Sequence, residues 1–284
     1  MRLFFLTALT MTAFAANSIL NRLAVDSGAI DPASFAVLRV LAGAVMLTGL
    51  VVLRGKSLPL LARRRLIGAG SLVLYMVGFS GAYLTLDAGL GALVLFGVVQ
   101  ISIFVLAAIR GAPPLPRQIA GAGIAFGGLV WVLWPAGTAV ADPVGVMLMG
   151  AAGVGWAVYT LAGRTEPDAL AGTAANFCMA LPLVLLAGLF GTGATVVTGP
   201  GAALAVVSGA LTSGLGYALW YSIVPRFSPS MAAIVQLAAP VIALIAGVAL
   251  LGEQASLRLV LGAVLVLGGI ALAVRKAPVP ATAK

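Results

Sequence analysis

The chain is predicted to be an all-α integral membrane protein of ten transmembrane helices, arranged as two inverted five-helix repeats around a central cavity. Composition is the first observation behind this. Hydrophobic residues make up 62% of the 284 and charged residues 8%, a balance that leaves a soluble domain without a wettable surface. The second is an internal repeat. Phe14-Ala-Ala-Asn-Ser-Ile-Leu-Asn-Arg22 reads against Trp156-Ala-Val-Tyr-Thr-Leu-Ala-Gly-Arg164 at an offset of 142 residues, and Arg117-Gln-Ile-Ala-Gly121 against Arg258-Leu-Val-Leu-Gly262 at 141. An odd number of spans per repeat makes the second copy cross the membrane in the opposite sense. The third is charge placement. With the N-terminus inside, 13 of the 16 basic residues fall on inner loops, leaving only Arg22 and Arg258 outside and Arg39 within a span.

A span needs about 20 apolar residues, some 30 Å of helix. The first runs over 3–21. Arg2, the apolar stretch and Ala13-Phe-Ala15 also fit a signal peptide, but 143–163 matches this segment through Arg22, so it is read as a retained span. The second, 33–53, starts behind Pro32; the third, 66–86, follows Arg63-Arg64-Arg65; Asp87-Ala-Gly parts it from the fourth, 89–109. The fifth, 117–134, closes a first repeat of 1–135. The second repeat, 142–276, holds spans at 143–163, 169–190, 202–224, 229–251 and 257–274, with Pro225-Arg-Phe-Ser-Pro229 separating the eighth from the ninth. Residues 277–284 form a tail. The long apolar runs show no period-2 alternation, which excludes a β-barrel. The expected location is a bacterial-type inner membrane, with both termini cytoplasmic.

The net charge of +9 is therefore a topology signal facing membrane lipid and does not point to nucleic acid. Catalytic groups are scarce. There is no histidine, one cysteine (Cys178) and seven carboxylates, none in the middle of a span. No metal-ligand cluster or nucleotide loop is present, so no cofactor, no metal and no enzyme activity are expected. Proton-coupled carriers usually hold Asp, Glu or His inside the bundle, and only Glu253 or Asp87, at helix ends, are candidates here.

Inverted repeats are the architecture of many secondary transporters, with the substrate site where the halves meet. Arg39 is the clearest intramembrane charge. Its place two turns from Pro32 favours snorkelling outward or pairing with Glu253 or Asp31, a structural or gating role; the alternative is an anchor for a substrate carboxylate. Asn17 and Asn21 share a helix face, for interhelical bonding or, at Asn17, for the cavity. Gln100 and Gln236 lie mid-span, and Pro240 has no N–H to supply to the Gln236 carbonyl. That reads either as a kink or as a substrate site. With the local offset of 140, Phe96 and Gln100 occupy the face equivalent to Gln236 and Pro240. Tyr75, Phe79 and Tyr83 form a stripe on the third span, joined by Trp156, Tyr159, Tyr217 and Trp220 from the sixth and eighth. Each packs in the core or lines an amphipathic cavity. Gly121, Gly127, Gly128, Gly262, Gly268 and Gly269 are expected to allow close helix packing.

Asp31-Pro-Ala-Ser-Phe-Ala-Val-Leu-Arg39, Trp156-Ala-Val-Tyr159 with Arg164, Ser230-Met-Ala-Ala-Ile-Val-Gln-Leu-Ala-Ala-Pro240 through Leu251-Gly-Glu253, and the Gly262 to Gly269 spacing together resemble the EamA-type drug/metabolite transporter superfamily. The resemblance covers the whole chain and is greatest to the YddG-type amino-acid exporters. It implies ten helices in two inverted repeats and export of amino acids or other small metabolites. The first repeat departs from it, reading Ile109-Arg-Gly-Ala-Pro113 where the second has the Gly-Glu loop. No first-helix glutamate matches that of the small multidrug members. The expectation is thus a monomeric exporter of small metabolites working by alternating access. The competing readings are a membrane enzyme acting on lipid-linked substrates and a non-transporting membrane subunit.

Overall fold

In a computed structural model, which describes residues 1–109, 115–133, 141–189, 194–227 and 235–274, the protein is built from helices and, among those residues, contains no strand. The tail 277–284, the loop residues Arg110, Arg275 and Lys276, Trp134 and the 228–234 part of the ninth-span motif lie outside them. Among the described residues, seven helices are long and apolar enough to cross a membrane. They are α1 (Arg2–Asp26), α2 (Pro32–Leu53), α3 (Arg64–Ala82), α4 (Ala88–Ile109), α6 (Pro143–Gly163), α7 (Ala169–Leu189) and α8 (Gly199–Arg226). Between them and after them come α5 (Pro116–Leu133), α9 (Ala238–Leu251) and α10 (Leu257–Val274).

Local chemistry sets the helix starts. Asp31 and Asp142 cap α2 and α6, accepting from the amides of Ser34 and Gly145, and a proline follows each at the first helical position, where its missing N–H costs nothing. Gly252, at φ 69°, ends α9 in the left-handed conformation that glycine adopts without a Cβ penalty. Two helices are irregular at depth. Residues Ser208–Leu215 of α8 form a π-helical stretch, a geometry that is rare and frequent at functional sites. Ahead of α9, helical geometry at Val235 and Gln236 gives way to a turn at Leu237 and resumes at Ala238. The break lies three residues before Pro240, within reach of the ring's clash with the preceding turn. Pro240 itself sits in the first turn of α9, not mid-helix as the apolar run suggests.

Packing crosses between the halves. Helix α3 runs along α6, α2 along α7 and α8, α4 along α6 and α9, α1 along α8 and α9, and α5 pairs with α10. Small residues make this possible. A Cβ on Gly269 would stand 2.6 Å from the Gly121 carbonyl, so α10 lies almost on the α5 backbone. A Cβ on Gly209 would overlap the carbonyl of Arg39, which brings the π stretch of α8 against α2. Gly127 and Gly268, expected to do the same, face open space. The Trp131 carbonyl accepts from the Arg258 guanidinium.

Candidate functional site

Arg39 does not snorkel. It is fully buried, and it pairs with neither Glu253 nor Asp31. Its Nε donates to Ser213 Oγ at 2.7 Å, and its Nη2 donates to the hydroxyls of Tyr217 at 2.9 Å and Tyr75 at 3.2 Å. The guanidinium lies over the Phe79 ring, 4.9 Å from its centroid, a favourable cation–π placement. Nη1 has no partner. Tyr217 in turn donates to Tyr75 at 3.1 Å. Asn17 on α1 completes the cluster: its Oδ1 accepts from Ser208, Thr212 and Ser213, all in the π stretch, and its Nδ2 donates to the Thr212 carbonyl. The π geometry thus collects three hydroxyls around one side-chain carbonyl.

Against this cluster lies a small cavity bounded by Phe14, Asn17, Tyr75, Phe79, Leu95, Phe96, Trp156 and Tyr217. Its free space is about that of one water molecule. Arg39 stands behind its tyrosine wall. Phe14 meets Trp156 at 5.3 Å and Tyr217 at 5.7 Å edge to face, as ring quadrupoles prefer. Two of the contacting pairs, Phe14 with Trp156 and Tyr75 with Tyr217, are each 142 residues apart, the repeat offset.

Of the candidate residues, Asn17, Phe79, Phe96, Trp156 and Tyr217 come together at this cavity. The others are buried nearby. Trp156 donates its indole N–H to Gln236 Oε1 at 3.3 Å, which brings Gln236 behind the Trp156 wall. Tyr159 stacks on Tyr221, which donates to the Tyr159 carbonyl. Trp220 meets Phe14 and Phe227. Tyr83 packs beneath Gly91 toward the outer end, its hydroxyl near the Ala88 carbonyl. Pro240 is buried in α9. Gln100 is buried, and neither amide atom has a partner among the described residues. Asn21 donates to Ser80.

Phe14 and Leu95 were missing from the sequence candidates; Phe14 was visible there as the repeat equivalent of Trp156. A second buried charge was hidden in the basic run. Arg65, at the start of α3, is buried with Glu166 of the α6–α7 loop, Nη2 to Oε2 2.7 Å, and also donates to the carbonyls of Pro59 and Gly172 and to Asn176 Oδ1. Nearby, Lys56 holds the Asp168 carboxyl below the usual aspartate range, helped by the amides of Ala171 and Leu170. At the opposite end, Glu253 caps α4, accepting from the amides of Ala88 at 2.6 Å and Gly89 at 3.2 Å. Burial nevertheless raises its pKa above the ordinary glutamate value. No cluster of metal-ligating side chains occurs among the described residues.

A polytopic helical membrane protein with a polar node enclosed by aromatic rings is the class that fold and site define. The EamA-like transporter family model matches residues 143–275. An uncharacterised protein of Pseudomonas aeruginosa is 45% identical over 273 residues, spanning 95% of this chain and 94% of its own. Residues 143–275 therefore form an EamA-like transporter family domain, of the drug/metabolite transporter superfamily. One protein crystal structure superposes with a TM-score of 0.69 at 24% identity, over 94% of this chain and 97% of that one, which speaks to the fold.

Proposed function

We propose that the protein is a secondary transporter, not an enzyme, that exports small metabolites, amino acids foremost, across the bacterial inner membrane by alternating access. On this reading residues 1–135 and 142–276 are inverted five-helix repeats, 277–284 is a cytoplasmic tail, and both termini face the cytoplasm. The chain works as a monomer in lipid and has no nucleic-acid partner. The placement within the YddG-type exporters belongs to the same proposal.

One observation carries it. Residues at the repeat offset, Phe14 with Trp156 and Tyr75 with Tyr217, face each other across the cavity. A pseudo-two-fold axis in the membrane plane brings equivalent positions together in this way, and transporters place the substrate on such an axis. The packing of the helices supports the same symmetry: α1 with α9 is matched by α6 with α4, and α2 with α8 by α7 with α3. So do the helix caps, since Asp31 caps α2 and Asp168 caps α7. Asn17, Phe79, Phe96, Trp156 and Tyr217 then contact the substrate; Tyr83, Gln100, Tyr159, Trp220, Gln236 and Pro240 shape the route on either side; Glu253 holds the outer end closed. The cavity is too small for a metabolite as it stands, so the walls part for entry and the α8 and α9 irregularities give them places to bend.

Counterflow into liposomes of purified protein, across a panel of amino acids, tests the reading. Saturable, substrate-selective uptake is expected; uptake equal to that of empty liposomes for every solute contradicts it.

A further inference from the structure

We infer that the cavity takes its solute by a carboxylate, held by hydrogen-bond donors that Arg39 charges from behind, and that it does not require an amino group. This rests on the transport reading and names the substrate class of that site.

The argument is a count of protons. Tyr75 and Tyr217 each accept from Arg39 Nη2, so both phenol oxygens already hold a charged donor. Between them the two hydroxyls own two protons. One is spent on the bond from Tyr217 to Tyr75. With Tyr217 as that donor the other belongs to Tyr75, for which no acceptor occurs among the described residues, and both rings line the cavity. Asn17 repeats the pattern. Three hydroxyls converge on its Oδ1, while its Nδ2 spends one hydrogen on the Thr212 carbonyl and keeps a second. The indole N–H of Trp156 is already spent on Gln236. The polar part of the lining therefore offers donors, with its acceptors occupied.

Charge points the same way. Among the described residues, buried Arg39 has no carboxylate paired to it and no partner for Nη1. A buried cation without a counter-ion is expensive, and an anion at the tyrosine hydroxyls would relieve it. A donor bonded to a cation is also polarised into a better donor. The group that matches such a wall is acceptor-only and negative, which among common metabolite groups is a carboxylate. The remaining wall, from Phe14, Phe79, Leu95, Phe96 and Trp156, is apolar and suits a hydrocarbon or aromatic body. No carboxylate lines the cavity to meet an ammonium; ring faces are its only attraction for a cation.

The test compares analogues of one skeleton on unmodified protein: phenylalanine, 3-phenylpropanoate, phenylethylamine and phenylalaninamide. Each is scored by thermal stabilisation of the purified protein and by competition against labelled phenylalanine in counterflow. We expect 3-phenylpropanoate to stabilise and compete as phenylalanine does, and the amine and the amide to do neither. Tyr75→Phe, which keeps the ring, should weaken the acid about tenfold or more, the loss of one bond to a charged group. Stabilisation by the amine or amide equal to that by the acid, an acid inactive in both assays, or an unchanged affinity in Tyr75→Phe overturns the inference. Acid-specific stabilisation without any counterflow would keep the carboxylate site and overturn the transport reading instead.

Discussion

Glu166→Gln probes the buried charge that ties the start of α3 to the α6–α7 loop. The wild-type pair is 2.7 Å long, with side chains 2% and 4% exposed, and Arg64 adds a second contact to the same oxygen at 3.5 Å. Glutamine keeps the shape and one carbonyl oxygen but removes the charge. Breaking a buried pair by removing one partner costs about 3–5 kcal/mol, because the other charge stays buried. Arg65 keeps three neutral acceptors, on Pro59, Gly172 and Asn176. The cost should therefore fall at the low end, about 3 kcal/mol. The assay is reversible unfolding of purified protein in mixed micelles, titrated with a denaturing detergent. Arg65→Met alone should destabilise by a similar amount, and the double variant should cost clearly less than the two together, since it leaves no orphaned charge. A loss below about 0.5 kcal/mol in Glu166→Gln, or strict additivity, would refute the reasoning.

Further outcomes follow from the same geometry. Because burial raises the Glu253 pKa, the folded state holds that proton more tightly than the unfolded chain does; stability should fall as pH rises through the window just above the ordinary glutamate value, and Glu253→Gln should flatten that slope in a pH series of unfolding curves. Gly209→Val places a methyl-bearing Cβ on the Arg39 carbonyl, so α8 must leave α2, and a loss of about 1–3 kcal/mol or more should appear as a lower unfolding midpoint. Reporter fusions after Lys56 and Lys284 should read cytoplasm and one at Asp142 the outside; an outside signal at Lys284 contradicts the inverted repeat.

Much of the fold was legible because membrane insertion writes itself into composition. Apolar runs depend only on position along the chain. What depended on which side of a helix faces which neighbour was not legible. Arg39 was placed by its depth on α2 and assigned to the outer carboxylates, yet its partners come from α3 and from α8, with Ser213 lying 174 residues away. Arg65 looked like one more inner-loop cation until the Glu166 contact showed it buried. Stretch Ser208–Leu215 carries no proline to announce an irregular helix, and its Ser, Thr and Gly residues have meaning only once Asn17 is opposite them. Pro240 did announce a break, but the apolar run around it hid where the turn falls.

Alternating exposure of the central cavity is the claim on which the account stands. Cys178 is the only cysteine, so Cys178→Ala gives a background in which Phe96→Cys reports from the cavity wall alone. Reaction of that thiol with a membrane-impermeant reagent, added to one face and then to the other of oriented vesicles, measures access directly. The account predicts labelling from both faces, slowed by a transported solute. Labelling from one face only, or from neither, with no effect of any solute would contradict it.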